Sequence, residues 1–230
     1  MTGEEAKLFA ETDCIDEFKR VTSALGIQPA EKPRTVFLAG SPGAGKSEFV
    51  SSVLAKVEPI LVVDADEFRK RFPGYQGHNA NEYQKGAVVY VKYFYKTAIA
   101  QGFHVVMDSN FASLSVAKQN IDASLKAGRS VTVMYIYLSP VAAWQFVKRR
   151  ENETGRNVPS AVFVKNFREA QAVFDELRQI YSGRVTFKAI LRIAQGATDK
   201  GQIMTYDSTK SLSEQIPETY TVSDLEKIAV

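Results

Sequence analysis

The sequence has little of several residue types and patterns that mark specialised classes of protein. Its 230 residues include one cysteine, Cys14, which excludes an intramolecular disulfide and favours a reducing compartment. The acidic residues around Cys14 disfavour a reactive thiolate. No run approaches the roughly 18 apolar residues of a transmembrane helix, and the first residues lack the apolar segment of a signal peptide. The sequence therefore predicts a cytoplasmic protein with no membrane partner.

An excess of charge of one sign is also absent. The 29 Lys and Arg residues nearly balance the 26 Asp and Glu residues, so the net charge of +3 does not indicate a nucleic-acid or membrane binder. Apolar residues make up 45% of the chain, enough for a real core. At about 150 residues per domain, the length favours one elaborated domain. We expect a helical extension over residues 1–30, a core over 34–190 and a peripheral segment over 191–230.

Short apolar runs alternate with helical patterns along the chain. The runs are rich in β-branched and aromatic residues and mostly do not alternate with polar ones, which is typical of parallel strands covered on both faces. They lie at residues 35–39, 60–63, 104–107 and 131–138, and another strand is predicted from residue 185, followed by a turn at 196–202. Helices are predicted at residues 3–24, 45–56, 66–72, 82–101, 113–127, 140–150 and 159–181. This order predicts an α/β fold with a mostly parallel sheet flanked by helices.

The first helix precedes the predicted sheet and forms the N-terminal extension. Its larger apolar residues are expected to pack on the core, although they would also suit the binding of an inhibitor. They are Leu8, Phe9, Ile15, Phe18 and Val21. Other helices have recognisable ends, because Ser139 and Pro140 suit an N-cap followed by N1, and Gly128 suits the end of the preceding helix.

A phosphate-binding motif follows the first predicted strand. The motif GxxxxGK[ST] between a strand and a helix predicts a P-loop of the NTPase type, whose backbone N–H groups surround phosphate oxygens. Lys46 is expected to reach the β- and γ-phosphates of ATP, and Ser47 to bind Mg²⁺. The nucleotide-binding residues are Gly40, Ser41, Pro42, Gly43, Ala44, Gly45, Lys46 and Ser47.

Two aspartates follow the second predicted strand, at the edge of the sheet where ligands gather. A kinase needs a carboxylate that accepts the proton of the attacking hydroxyl, and Asp66 is the predicted base. Asp64 is better placed to order the site or to hold metal-bound water. The alternative is that either aspartate only caps the helix that follows. Arg69 on that helix either binds substrate or pairs with a nearby acid.

The third predicted strand ends at Asp108, which we expect to face the substrate and hold Mg²⁺ directly or through water. The alternative for Asp108 is an N-cap or turn residue. His104 begins the same strand, on the side away from the expected site, and is predicted to be structural.

A basic segment between two helical patterns, residues 148–159, predicts a lid over the phosphates. Arginines in such a lid stabilise the charge of a transferring phosphoryl group and exclude water. Arg156 beside the flexible Gly155 suits this function. Arg149 and Arg150 point in different directions on a helix, so we expect only one of them to reach the phosphates. The alternative is a solvated basic helix end.

These segments together resemble the zeta-toxin family of P-loop kinases. The resemblance is carried by GSPGAGKS, VVDADEFRKRFPGY, QGFHVVMDSN and RRENETGRNVP and extends over residues 34–181. It implies that Asp66 is the catalytic base, that Lys46 and Ser47 bind ATP and Mg²⁺, and that Arg156 with Arg149 or Arg150 binds phosphate. It also implies phosphorylation of a hydroxyl of UDP-N-acetylglucosamine, and inhibition by an antitoxin protein that obstructs the nucleotide site.

The acceptor side departs from the family pattern. Residues 90–96 carry no acid where the family has one that contacts the substrate. The third strand ends in Asp108, Ser109 and Asn110 where many relatives have Glu-Gly-Thr. The acceptor therefore stays open, with another nucleotide, a dinucleotide cofactor or a small hydroxyl compound as alternatives.

Two further functions fit the P-loop. A polynucleotide kinase requires a basic channel lined by aromatic residues, but the aromatic residues over 83–95 have helical spacing and predict core, so nucleic-acid binding is not expected. A non-catalytic, ATP-binding interaction protein needs fewer carboxylates than the three supplied by Asp64, Asp66 and Asp108.

Overall fold

A computed structural model describes residues 1–52, 54, 59–109, 111–192, 206–207, 209–216 and 219–230. Strands and helices alternate through the described chain as the sequence predicts. In chain order the elements are α1 Gly3–Ala24, β1 Arg34–Ala39, α2 Lys46–Ser52, β2 Leu61–Asp64, α3 Ala65–Arg69, α4 Gln84–Ala100, β3 Val105–Asp108, α5 Leu114–Lys126, β4 Ser130–Leu138, α6 Pro140–Thr154, α7 Ser160–Ile180, β5 Thr186–Arg192 and α8 Val222–Ile228.

The described strands form a five-stranded sheet in the order β2-β3-β1-β4-β5, and all of its pairings are parallel. This confirms the predicted α/β fold of the P-loop NTPase type. Because all strands run the same way, their carboxyl ends meet at one edge of the sheet. The P-loop follows β1 at that edge, and Asp64 of β2 is paired in register with Asp108 of β3.

Local signals set several element boundaries. The Ser139 side chain caps α6 with Pro140 at the start of that helix, and Gly128 follows α5 with a φ of 70°, both as predicted. The predicted strand from residue 185 is β5. The predicted turn at 196–202 and part of the predicted helix 45–56 lie outside the described residues.

The face of α1 that packs on the core differs from the prediction. Leu8 and Ile15 were expected to contact the core, but they are 64% and 45% exposed. Phe18 is buried, while Phe9 and Val21 are partly buried. The buried face consists mainly of small residues spaced by four, namely Ala6, Ala10 and Cys14. Small side chains let α1 lie close to α4, and the helical period then turns Leu8 and Ile15 to the outside.

A polar network joins α1 to the segment that follows α3. The guanidinium of Arg71 donates to Asp13 at 3.1 Å and lies 3.4 Å from the carboxylate of Glu17. The hydroxyl of Tyr90 on α4 also donates to Asp13. Burial raises the pKa of the Cys14 thiol on the same helix, in keeping with an unreactive cysteine. The N-terminal extension therefore supports the element that carries Asp66.

None of the predicted catalytic or binding residues lies at the opposite edge of the sheet, where the strands begin. There His104 accepts a hydrogen bond from the backbone nitrogen of Arg34, at 3.1 Å from its Nδ1, in agreement with a structural function. No helix within the described residues has the length and apolar character needed to cross a membrane.

Candidate active site

The P-loop wraps around the start of α2 and packs against α6. Gly43 has a φ of 76°, and a Cβ atom there would overlap the carbonyl oxygen of Ala143 and lie 3.1 Å from Val147. Only glycine fits this position, because the backbone adopts a left-handed conformation in contact with another helix. The loop can therefore bend tightly while α6 lies directly beside it.

Lys46 is buried at the first position of α2. Its ammonium group donates to the carbonyl oxygens of Gly40 and Ser41 at 3.0 and 2.9 Å. Burial lowers its pKa, with Arg156 adding to the effect and the carboxylates of Asp108 and other residues opposing it. A cation held this way beside backbone N–H groups is suited to bind a polyphosphate.

A hydroxyl and a carboxylate meet between the P-loop and β3. The hydroxyl of Ser47 donates to Asp108 Oδ2 at 2.7 Å. Asp64, paired in register with Asp108, accepts a hydrogen bond from the backbone nitrogen of Asp66 at 2.8 Å and so caps α3. Asp64 therefore does cap the helix that follows it, as one of the two interpretations from the sequence expects. It also lines the cavity of the site.

These carboxylates are hard to keep ionised in the absence of a cation. Burial, followed by the charges of Asp108 and Asp66, raises the pKa of Asp64 to about 7. Burial also raises the pKa of Asp108, against the opposing effects of Lys46 and Ser47. The buried carboxylate of Asp64 and the partly buried carboxylate of Asp108 lie at neighbouring strand ends and repel each other, and a divalent cation would relieve that repulsion.

The donor set fits magnesium that is shared with a nucleotide. Ser47 and Asp108 supply oxygen atoms, which are the ligands that Mg²⁺ prefers. Within the described part of the chain, no group of three or more His, Cys, Asp and Glu residues is arranged to hold a metal by itself. Mg²⁺ is commonly held by one or two protein groups together with phosphate oxygens and water, which is what this site offers.

The raised pKa of Asp64 predicts a pH dependence of stability. An unfolded aspartate titrates near 3.9, so between about pH 4 and pH 7 the folded state holds a proton that the unfolded state has lost. The free energy of unfolding therefore falls as the pH rises through this window. Asp64→Asn removes the titration and retains a capping side chain. In urea unfolding with chelator present, we expect its stability relative to the wild type to increase by roughly 2 kcal/mol from pH 5 to pH 8.

Glu82→Gln is a suitable control, because Glu82 is an exposed acid outside the cavity. Its stability relative to the wild type should not change over the same pH range. If the difference in the free energy of unfolding between Asp64→Asn and the wild type does not change with pH either, Asp64 is not a buried carboxylate without a compensating charge.

Asp66 lies between two arginines on the other side of the site. Its Oδ1 is paired with Arg69 of the same short helix, and its Oδ2 with Arg156 of the lid. Arg69 also donates to the side chain of Gln84. Arg69 thus pairs with a nearby acid, as one of its two predicted alternatives requires, and it lines the cavity as well.

The other lid arginines lie differently. Arg149 stacks over the ring of Phe146 at 4.4 Å and lies 4.0 Å from Glu153, with a largely exposed side chain. Arg150 is exposed and lines the same cavity as Arg149, and its charge opposes the rise in the pKa of Asp108.

One cavity of about 650 Å³ brings the predicted residues together. Gly40, Ser41 and Ala44 are P-loop residues that do not line it. Arg192 at the end of β5 lines it without belonging to any recognised motif, and it donates to the carbonyl oxygen of Ala44 at 3.3 Å. Its position at a strand end was the available signal. The predicted residues in the lining are Pro42, Gly43, Gly45, Lys46, Ser47, Asp64, Asp66, Arg69, Asp108, Arg149, Arg150 and Arg156.

Comparison with protein-family models matches residues 19–211 to the Zeta toxin family. No curated protein matches the sequence significantly. Among solved structures, a structure from the PezAT chromosomal toxin-antitoxin system of Streptococcus pneumoniae matches with a TM-score of 0.65 at 20% identity, covering 95% of this chain and 93% of that chain.

Two further structures share the fold. A structure of the AvrRxo1-ORF1:-ORF2 complex with ATP matches with a TM-score of 0.60 at 14% identity, covering 75% of this chain and 57% of that chain. The Pnkp1/Rnl/Hen1 RNA repair complex matches with a TM-score of 0.52 at 19% identity, covering 64% of this chain and 47% of that chain.

Proposed function

The chain belongs to the zeta-toxin family, and we propose on this premise that it is a kinase that transfers the γ-phosphate of ATP to a hydroxyl group of a small acceptor. The observation that carries the proposal is the set of residues that line one cavity. A P-loop with its lysine, a hydroxyl–carboxylate pair suited to Mg²⁺, a separate carboxylate and lid arginines all line the same space. These are the groups that phosphoryl transfer requires.

Asp66 is the base in this proposal. Each of its oxygens is paired with one arginine, and an ionised carboxylate still has lone pairs free to accept a further hydrogen bond. The acceptor hydroxyl donates its proton to Asp66 as its oxygen bonds to the γ-phosphorus. The bond from that phosphorus to the β,γ-bridging oxygen breaks, and ADP leaves with the bonding electron pair.

Positive groups stabilise the charge on the transferring phosphoryl group. Lys46 belongs to the P-loop, Arg156 is paired with Asp66, and Arg150 lines the cavity, where its charge opposes the rise in the pKa of Asp108. Arg149 stacks over Phe146 with a largely exposed side chain. We therefore assign phosphate binding to Arg156 and Arg150 and give Arg149 an outer position.

Ser47 and Asp108 would hold magnesium, and Asp64 would hold water near it. When bound, Mg²⁺ would neutralise part of the charge of the β- and γ-phosphates. Ser47, Asp108 and Asp64 would thus hold the ion beside the P-loop, and the lid excludes water from the cavity.

We propose UDP-N-acetylglucosamine as the acceptor, because the family implies it. Arg69 lines the cavity next to Asp66, and its positive charge supports the proposed binding of a negatively charged part of such a nucleotide sugar. The absence of an acid over residues 90–96 makes another nucleotide or a dinucleotide cofactor the alternative. Membership of the family also supports an antitoxin as protein partner. The cytoplasmic location stays a prediction from the sequence.

A transfer assay tests the function. The purified chain is incubated with Mg²⁺ and γ-labelled ATP against separate acceptors, namely UDP-N-acetylglucosamine, a nucleoside monophosphate, NAD and an RNA with a free 5′-hydroxyl. Products are identified by mass. We expect a phosphorylated UDP-sugar that the Asp66→Asn variant does not form.

Each other result has a definite meaning. If label reaches only another acceptor, the kinase function stands and UDP-N-acetylglucosamine is rejected as the acceptor. Label on the RNA end with a steep dependence on salt would favour a polynucleotide kinase. Tight ATP binding without transfer to any acceptor would reject the kinase in favour of an ATP-binding interaction protein.

A further inference from the structure

The loop between α3 and α4 is in direct backbone contact with the lid. At its Gly77, a Cβ atom would overlap the carbonyl oxygen of Thr154 and would lie 2.9 Å from the amide nitrogen of Arg156. Carbon atoms of real side chains do not approach backbone atoms so closely. The loop and the lid can therefore touch only because residue 77 has no side chain.

The contact is built from glycine on both sides. Gly155 ends α6 in a left-handed conformation with a φ of 72°, and its nitrogen donates to the carbonyl oxygen of Glu151 at 2.8 Å. A Cβ atom on Gly155 would lie 2.9 Å from the carbonyl oxygen of Gln76. Gly77 is also left-handed, with a φ of 82°. Both backbones thus adopt conformations that favour glycine at the point where they meet.

Hydrogen bonds within the loop between α3 and α4 stabilise the turn that contacts the lid. The side chain of Asn79 accepts from the nitrogen of Gln76 at 2.9 Å and donates to the carbonyl oxygen of Gly74 at 3.0 Å. The nitrogen of Ala80 donates to the carbonyl oxygen of Gly77 at 3.1 Å. These bonds stabilise the turn on both sides of Gly77.

Arg156 is the last lid residue whose backbone takes part in the contact. Its guanidinium is paired with Asp66, which lies on the helix preceding the same loop. The lid thus contacts the loop that follows α3, the helix that carries the proposed base. The distance between the lid backbone and this loop sets how far the guanidinium of Arg156 reaches into the cavity. Even a small displacement of a charged group from the reacting atoms lowers the rate strongly.

We propose that Gly77 is a positioning residue for phosphoryl transfer, which lets the lid settle on the α3–α4 loop and so holds Arg156 at Asp66 and the γ-phosphate. This inference rests on the proposed kinase function. Gly77 does not touch substrate itself. Its effect passes through the lid backbone to Arg156.

The chain offers a matched control for Gly77→Ala. Gly74, in the same loop, has the same φ of 82°, but a Cβ atom there meets only the hydroxyl of Tyr83, at 3.2 Å. Gly74→Ala therefore introduces the same strain of alanine in a left-handed conformation, without a clash against the lid. We expect Gly77→Ala to lower kcat about 10- to 100-fold with the KM for ATP within about threefold of the wild type. Gly74→Ala should retain kcat within about twofold.

A double-mutant cycle tests whether the effect passes through Arg156. In an Arg156→Ala background, Gly77→Ala should lower kcat by no more than about twofold, because the guanidinium that it displaces is already absent. An equal loss of kcat in both backgrounds, or equal kcat values for Gly77→Ala and Gly74→Ala, would overturn the proposal.

Amide hydrogen exchange over residues 150–160 with ATP bound and no acceptor tests the contact without any transfer. Gly77→Ala should exchange faster there than the wild type and Gly74→Ala. If the wild-type protein transfers phosphate to no acceptor, the kinase proposal fails while the exchange result still stands for or against the contact. If the wild type transfers phosphate and Gly77→Ala matches the control in rate and exchange, only the positioning proposal fails.

A second pair of variants covers the case in which Gly77→Ala does not fold. Gly155→Asn retains a residue that tolerates the left-handed helix end and brings a Cβ against Gln76. Gly128→Asn has an equivalent position after α5, where a Cβ meets nothing within 4 Å. The same losses of kcat and of exchange protection are expected for Gly155→Asn and not for Gly128→Asn. Equal behaviour of the two would count against the contact.

Discussion

Asp66→Asn is expected to lower phosphoryl transfer by between 10²- and 10⁴-fold, the approximate range for loss of a general base. The asparagine retains the size of the side chain and an oxygen that accepts hydrogen bonds, but it cannot take up the acceptor proton. Asp66 lies outside the P-loop, and its carboxylate is paired with Arg69 and Arg156. The dissociation constant for ATP should therefore stay within about threefold of the wild-type value, because the lost interaction belongs to the transition state.

Glu67→Gln is the matched control, because Glu67 is the neighbouring acid, exposed and paired with Lys70 outside the cavity. It should retain full activity. Asp66 also neutralises Arg69 and Arg156, so thermal unfolding of Asp66→Asn is measured in parallel. Full transfer by a folded Asp66→Asn protein would exclude this residue as the base.

Lys46→Met is expected to lower kcat by roughly 10²- to 10³-fold, the usual cost of removing one donor that stabilises transition-state charge, and to weaken ATP binding. Methionine fills the volume of the lysine stem without its charge. In the wild type that charge is buried, and its pKa is lowered by burial. Removing the ammonium group relieves a desolvation cost, but it also takes the donor from the carbonyl oxygens of Gly40 and Ser41 and a nearby cation from Asp108. Thermal unfolding is therefore measured in parallel, so that a loss of stability is distinguished from a loss of activity.

Lys126→Met serves as control, because Lys126 is exposed at the end of α5 and does not line the cavity. It should change neither ATP binding nor transfer. Isothermal titration with ATP in the presence of Mg²⁺, together with the acceptor assay, separates the two effects. A Lys46→Met protein with unchanged ATP affinity and unchanged kcat would contradict the assignment of the P-loop.

The α/β fold was predictable because its signals are local. Each strand is a short apolar run, and the helices begin and end at residues whose side chains satisfy or terminate the backbone, such as Ser139 and Gly128. The P-loop is local as well, since the eight residues 40–47 carry the whole motif. The gathering of Asp64 and Asp108 followed from the rule that parallel strands end at a common edge.

The packing of α1 was less predictable, because the sequence shows which residues are apolar and not which element they meet. Small residues at Ala6, Ala10 and Cys14 form the contact with α4, and this leaves Leu8 and Ile15 exposed. Arg192 likewise carries no motif. Its place in the cavity depends on β5 lying next to β4.

The P-loop motif, the strand-end carboxylates and the arginines of the lid can be read from the amino-acid sequence, because each depends on residue types at fixed short spacings. How these groups combine depends on the packing of the folded chain. This packing paired Asp66 with Arg69 and Arg156, stacked Arg149 over Phe146, and brought Gly77 against the lid. Such contacts join residues far apart in the chain, and their geometry is set by the packing of whole helices, which no local pattern records.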